Sequence, residues 1–207
     1  MLVFAKAPVA GEVKTRLQPL LTAEQCANLQ QRLIEHTMDM CLRGELCPVE
    51  LWCAGNIQHP CFTRYASNPT VSLHTQSCGD LGARMLNAID HSLKYCDTVV
   101  IIGTDCPVLS IENLENVLYK FTAQKTDAVF IPAEDGGYVL VACRRPIPEL
   151  FKDIDWGTTN VMQQTRIALQ QTGCMYAELP PLWDIDLPED LERLKTLADK
   201  AYLTDAL

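Results

Sequence analysis

Six short stretches of this chain carry side chains whose types and spacing could do chemistry. In "FAKAPVAGEVKTRLQP", Lys6, Lys14 and Arg16 crowd a short segment around Gly11. A glycine-containing loop presents backbone N–H groups, and Lys and Arg add positive charge, a combination that suits a diphosphate or, equally, a solvated basic turn. The loop is neither a Walker loop nor a GxGxxG fingerprint, so no generic motif decides between the two. In "TQSCGDLGARM", Gln76 could pair with a nucleobase edge, and Gly79 and Gly82 would let backbone approach a flat ring. Asp80 reads first as a helix N-cap, and Arg84, one turn further on, could face an anion.

The third stretch, "VVIIGTDCPVLS", ends an apolar run in Thr104 and the bare carboxylate of Asp105. A carboxylate there could hold Mg²⁺ or Mn²⁺, hard cations that take oxygen ligands and share them with phosphates, or it could be a turn residue. In "PAEDGGYVLVA", Asp-Gly signals a hairpin, and Glu134 or Asp135 could also present a carboxylate to a ligand beside Gly137. "DIDWGTTN" places Trp156 next to Asp155, a stacking surface if exposed and ordinary packing if not. In "PLWDIDLPEDL", Asp184 and Asp186 alternate on an extended segment, so one of them faces any given ligand, and Asp186 is the candidate second metal ligand.

These residues need a scaffold, and the hydropathy pattern supplies one. Short apolar runs ("LVFA", "VELWCA", "VSLHTQ", "TVVIIG", "DAVFIPA", "GYVLVAC", "MYAEL") alternate with amphipathic segments. The long helix "TAEQCANLQQRLIEHTMDMCLR" should start on a Thr22/Gln25 capping box and close at Gly44. A short helix is expected over 61–66, and others over "DLGARMLNAIDHSLKY", "IENLENVLYKFTAQ" behind a Ser110 cap, 160–171 behind Thr158 or Thr159, and from about Pro188. Strands separated by crossover-length helices predict an α/β protein, a Rossmann-like mixed, mostly parallel sheet with helices on both faces. The two strands flanking "EDGG" are too close for a crossover helix, so that pair should be antiparallel. In such sheets ligands bind at the carboxyl ends of strands, where these stretches fall.

With 207 residues, 48% of them hydrophobic, the chain can bury a substantial core, and a single domain over 1–207 is the simplest organisation. A net charge of -9 argues against a nucleic-acid partner held by counterion release. The ten cysteines include no CxxC pair, and most (Cys26, Cys53, Cys96, Cys143) sit in apolar or helical stretches, where free cysteine acts as a small buried hydrophobe. No run approaches membrane-spanning length and the N-terminus lacks a signal-peptide pattern, so a reduced, cytoplasmic protein is expected.

Taken together, "FAKAPVAGEVKTRL", "GDLGARM", "IGTDCPVL", "PAEDGGYVLVA", "DIDWGT" and "WDIDLPEDL" resemble the bacterial glycosyltransferase-like family labelled arsenosugar-biosynthesis glycosyltransferases, formerly a domain of unknown function. That family is similar to nucleotide-diphospho-sugar transferases of the A-type glycosyltransferase fold and to the guanylyltransferases of deazaflavin-cofactor synthesis. The resemblance implies Lys6, Lys14 and Arg16 on a nucleotide diphosphate and Gln76, Gly79 and Gly82 by the base. It implies Asp105 as a metal ligand with Asp186 as partner, and Glu134, Asp135 and Gly137 by the sugar or acceptor. The richer GGxGxR loop of sugar nucleotidyltransferases is absent, and Pro19 is followed by Leu20 where they carry Lys.

The expected activity is glycosyl transfer from a nucleoside-diphosphate sugar to a small-molecule acceptor, with Mg²⁺ or Mn²⁺. Asp135 or Asp155 would then take the acceptor proton if the reaction inverts. Nucleotidyl transfer from a nucleoside triphosphate, releasing pyrophosphate, uses the same kind of pocket and is the alternative. A non-catalytic nucleotide-binding regulator is the third, since a fold alone does not fix a function.

Overall fold

The computed structural model describes residues 1–197 and 200–204; residues 198–199 and 205–207 of the expected 1–207 domain lie outside them. Seven strands form one sheet: β1 (Leu2–Lys6), β2 (Val49–Ala54), β3 (Val71–Thr75), β4 (Val99–Ile102), β5 (Ala128–Pro132), β6 (Tyr138–Cys143) and β7 (Tyr176–Glu178). Their spatial order is β3-β2-β1-β4-β6-β5-β7. The sheet is mixed and mostly parallel, as the alternation predicted. β6 runs antiparallel to both β4 and β5, because the tight "EDGG" connection leaves no room for a crossover. After a helical crossover, β7 returns parallel to β5, and β3 lies parallel to β2.

The helices are α1 (Ala23–Gly44), α2 (Pro60–Thr63), α3 (Leu81–Ser92), α4 (Ile111–Gln124), α5 (Val161–Thr172), α6 (Pro188–Lys195) and α7 (Ala201–Thr204). Single 3-10 turns cover Thr15–Leu17 and Pro148–Phe151. All four residues of β4 and all five of β5 are buried, which is why both strands read as unbroken apolar runs instead of an alternating pattern. The β5–β6 register shifts between Ile131 and Pro132, where proline has no N–H to give the ladder.

Local chemistry sets most helix ends. Thr22 and Gln25 form the reciprocal capping box of α1, and Ser110 with Asn113 does the same for α4. Asp80 caps α3, its carboxylate accepting from the Ala83 N–H at 2.8 Å. Three expectations need correction. α1 runs through Gly44, and the left-handed residue that ends it is Glu45, φ 49°. The helix expected over 61–66 is a single turn, Pro60–Thr63, started by proline and by His59 Nδ1, which accepts from the Cys61 N–H. Neither Thr158 nor Thr159 caps α5; Asn160 holds the cap position without a side-chain bond, and the Thr158 hydroxyl donates instead to the Asp155 carbonyl.

None of the ten cysteines is joined in a disulfide. Burial pushes the thiols of Cys53, Cys106 and Cys143 up to about 12, so they pack as hydrophobes. Cys96, expected inside, is exposed. No helix among the described residues is long and apolar enough to cross a membrane.

The chain divides into two compact units. One comprises Met1–Leu2, Gln76–Ile102 and Ser110–Trp183, and the other Val3–Thr75, Gly103–Leu109 and Asp184–Leu207.

Candidate functional site

In the second unit, three segments distant in sequence meet at Asp105. Lys14 stands just before the 3-10 turn with a left-handed backbone, φ 49°. Val13 and Leu17 on either side are buried, and this anchors the turn so that the Lys14 side chain, only 4% exposed, points inward. Its ammonium lies 2.7 Å from Asp105 Oδ1 as an ion pair and donates a directed hydrogen bond of 2.6 Å to the Ile185 carbonyl. The Ile185 N–H in turn donates to the Asp105 carbonyl at 2.9 Å. The basic first loop, the acidic strand tip and the "WDIDLP" segment therefore converge.

A second pair lies in the same segments. Arg16 Nη1 is 2.6 Å from Asp186 Oδ2, with side chains 59% and 35% exposed. Asp186 is oriented from behind, because the Asp190 carboxylate accepts from the backbone N–H groups of Asp186 and Leu187. Lys6 is exposed and donates to the Glu12 carbonyl at 2.7 Å. Gly11, with φ 82°, has open space where a side chain would begin.

The backbone around Asp105 is pinned from α1. Gln30 Nε2 donates to the Thr104 hydroxyl at 3.2 Å, and His36 Nε2 bonds the Pro107 carbonyl at 3.1 Å. That acceptor fixes Nε2 as the protonated nitrogen, leaving Nδ1 to accept from the Tyr202 hydroxyl. Burial lowers the His36 pKa, and the nearby Lys200 charge lowers it further. These two pins were not anticipated. The available signal was Gln30 and His36, which with Thr37 interrupt the apolar buried face of α1.

The other sequence-predicted residues lie in the first unit. Glu134 and Asp135 are exposed in the β5–β6 turn, where Asp135 Oδ1 accepts from the Gly137 N–H at 2.9 Å. Gly136, φ 97°, lies so close to Thr159 that a Cβ would sit 2.2 Å from its carbonyl oxygen, and its own carbonyl accepts from the Met162 N–H. The hairpin is thereby clamped to the start of α5. Asp155 is tied to α5 as well, its carboxylate accepting from Gln164 Nε2 at 2.7 Å while its N–H donates to Gln164 Oε1.

Trp156 is half-buried and meets Tyr138 edge to face, ring centroids 6.2 Å apart. It also lies against Gly82, where a Cβ would come within 2.7 Å of the indole ring. Trp156 is thus held in place by Tyr138 and by the side-chain-free surface of Gly82. Gln76 is half-buried after β3, and Arg84 folds back to donate to the Gly79 carbonyl at 2.9 Å.

A family profile described as "Uncharacterized protein conserved in bacteria (DUF2064)" matches residues 37–158, more than half of the chain. This chain belongs to that family. No curated protein matches the sequence. Among solved structures, the DUF2064 chain is similar to a protein from Desulfovibrio desulfuricans G20 provisionally described as a nucleotide-diphospho-sugar transferase. That match has 27% identity and a TM-score of 0.85 over 97% of this chain and 88% of the other. It also shares its fold with a CMP:2-keto-3-deoxy-manno-octonic acid synthetase complexed with CTP (11% identity, TM-score 0.59, 97% and 98% covered). A third likeness is to a 4-diphosphocytidyl-2C-methyl-D-erythritol synthase from Anaerococcus prevotii DSM 20548 (12% identity, TM-score 0.59, 98% and 95% covered). The fold is thus of the nucleotide-diphospho-sugar transferase and cytidylyltransferase kind.

Proposed function

We propose that this protein transfers a sugar from a nucleoside-diphosphate sugar to a small-molecule acceptor. The observation that carries the reading is the convergence of two cations and two carboxylates, Lys14 with Asp105 at 2.7 Å and Arg16 with Asp186 at 2.6 Å. Arg16, Lys6, Lys14 and the open backbone at Gly11 bind the diphosphate and balance the charge that builds on it as the glycosidic bond breaks. Gln76, Gly79 and Gly82 serve the base, Asp80 and Arg84 shape that loop, and Glu134, Gly137 and Trp156 border the sugar. Asp135 or Asp155 accepts the acceptor hydroxyl proton if the configuration inverts.

The donors near Asp105 fit a divalent cation of one particular kind. Asp105 is 46% exposed, so its carboxylate has an open side, yet among the described residues no three-ligand cluster contains Asp105 or Asp186. Such a set suits Mg²⁺ or Mn²⁺ whose remaining ligands are phosphate oxygens and water. Asp105 and Asp186 would hold such an ion, which would supply positive charge opposite the leaving diphosphate.

Incubation with a panel of sugar nucleotides tests the reading. The wild type should release nucleoside diphosphate when Mn²⁺ is present. A folded Asp105→Ala variant with undiminished turnover removes Asp105 from the mechanism.

The fold likeness to nucleotidyltransferases, one of them complexed with CTP, favours a second reading, attack on a nucleoside triphosphate with release of pyrophosphate. Product analysis separates the two. Pyrophosphate from a triphosphate supports the second, and nucleoside diphosphate from a sugar nucleotide supports the first.

A further inference from the structure

The deepest cation in the basic loop is not aimed at solvent. The Lys14 side chain is 4% exposed, and its ammonium is committed to Asp105 Oδ1 and the Ile185 carbonyl. Asp105 is the reverse, 46% exposed and open on the side away from Lys14. A buried ammonium needs both a counter-charge and hydrogen-bond acceptors, and here one carboxylate oxygen and one carbonyl provide them. The same carboxylate is the one that the proposed function gives to a divalent ion.

We propose that Lys14 is a resident counter-cation that competes with divalent metal for Asp105, so that metal binds tightly only after a phosphate-bearing ligand has drawn the ammonium away. The proposal rests on the functional reading above and adds an order of binding to it. Three arguments point this way. A divalent ion on the open side of Asp105 would sit one carboxylate's width from an ammonium that solvent does not screen, and like charges repel strongly at that distance. A diphosphate or triphosphate brings several negative charges and offers Lys14 new acceptors. The loop can yield as well: Lys14 holds a left-handed backbone that costs a non-glycine residue energy, and Ala10, Gly11, Glu12, Thr15 and Arg16 around it are exposed. Any such coupling is reciprocal, so metal should tighten nucleotide binding by the same factor that nucleotide tightens metal binding.

The test is a Mn²⁺ titration, followed by the electron paramagnetic resonance of free Mn²⁺, on the wild type and on Lys14→Met, Asp105→Asn and the double variant, without nucleotide. Lys14→Met should bind Mn²⁺ roughly tenfold tighter than wild type or more, and the gain should vanish in the double variant, because it passes through Asp105. Unchanged or weaker binding in Lys14→Met overturns the proposal. So does an equal gain in the Asp105→Asn background, which would mean a general charge effect. If Lys14→Met does not fold, Lys14→Gln keeps a donor for the Ile185 carbonyl without the charge and carries the same expectation. A wild-type titration repeated with CTP and with UDP-glucose separates the two claims. Failure of both to enhance Mn²⁺ uptake counts against the functional reading, whereas enhancement in wild type with no gain in Lys14→Met counts against the competition alone.

Discussion

Lys14 and Asp105 form the inner ion pair of the candidate site, 2.7 Å apart, with the ammonium side chain buried and the carboxylate half exposed. Arg16 and Asp186 form the outer counterpart, and exposed pairs of this kind contribute only about 0–1 kcal/mol to stability. Arg16→Ala should therefore shift the melting temperature by no more than about 4 °C while weakening nucleotide binding about tenfold, measured by calorimetry. His36 predicts a pH dependence. Its folded-state pKa is lowered, so its stabilising contribution is complete above the unfolded value of about 6.5 and is lost as pH falls through the lower folded value. Urea denaturation at pH 7.5 and at progressively lower pH should show a decline that His36→Gln, which keeps a donor for Pro107 but does not titrate, makes shallower. An identical decline in both proteins would assign the effect to other groups.

At the scale of elements, turn and cap chemistry was the most readable layer. The Thr22/Gln25 and Ser110 caps, the Asp80 cap and the Asp-Gly hairpin all follow from side chains that bond their own local backbone, so sequence neighbours suffice to predict them. The errors came where tertiary packing decides. Glu45 takes the left-handed position that the sequence offered to Gly44, and the start of α5 is organised by the Gly136 carbonyl and by Asp155 with Gln164 instead of a threonine cap. Gly136 carries the sharpest prediction at this scale. A methyl group there would meet the Thr159 carbonyl at 2.2 Å on a backbone with φ 97°, so Gly136→Ala should cost about 2–4 kcal/mol in urea denaturation. Gly137→Ala, with its nearest contact at 3.3 Å to a movable Asp135 oxygen and no positive φ, should cost less than half as much.

For the whole molecule, alternation of apolar runs with amphipathic helices made the mixed sheet readable, and the short "EDGG" link gave its antiparallel strand. Strand order was not readable, because it depends on which faces the helices cover and not on any local signal. The sites behave likewise: the strand-end rule found the stretches, while partners such as Ile185 for Lys14 and Gln164 for Asp155 required the fold. In the proposed function Asp105 serves a nucleotide and a divalent cation together. A melting-temperature panel of nucleotides and sugar nucleotides, with and without Mn²⁺, on wild type and Asp105→Asn tests it most directly. At saturation a ligand should raise the wild-type midpoint by about 5–10 °C with Mn²⁺ and by less without it, and Asp105→Asn should lose that Mn²⁺-dependent part while keeping a native circular-dichroism spectrum. An equal Mn²⁺-dependent rise in both proteins would mean that Asp105 does not hold the ion.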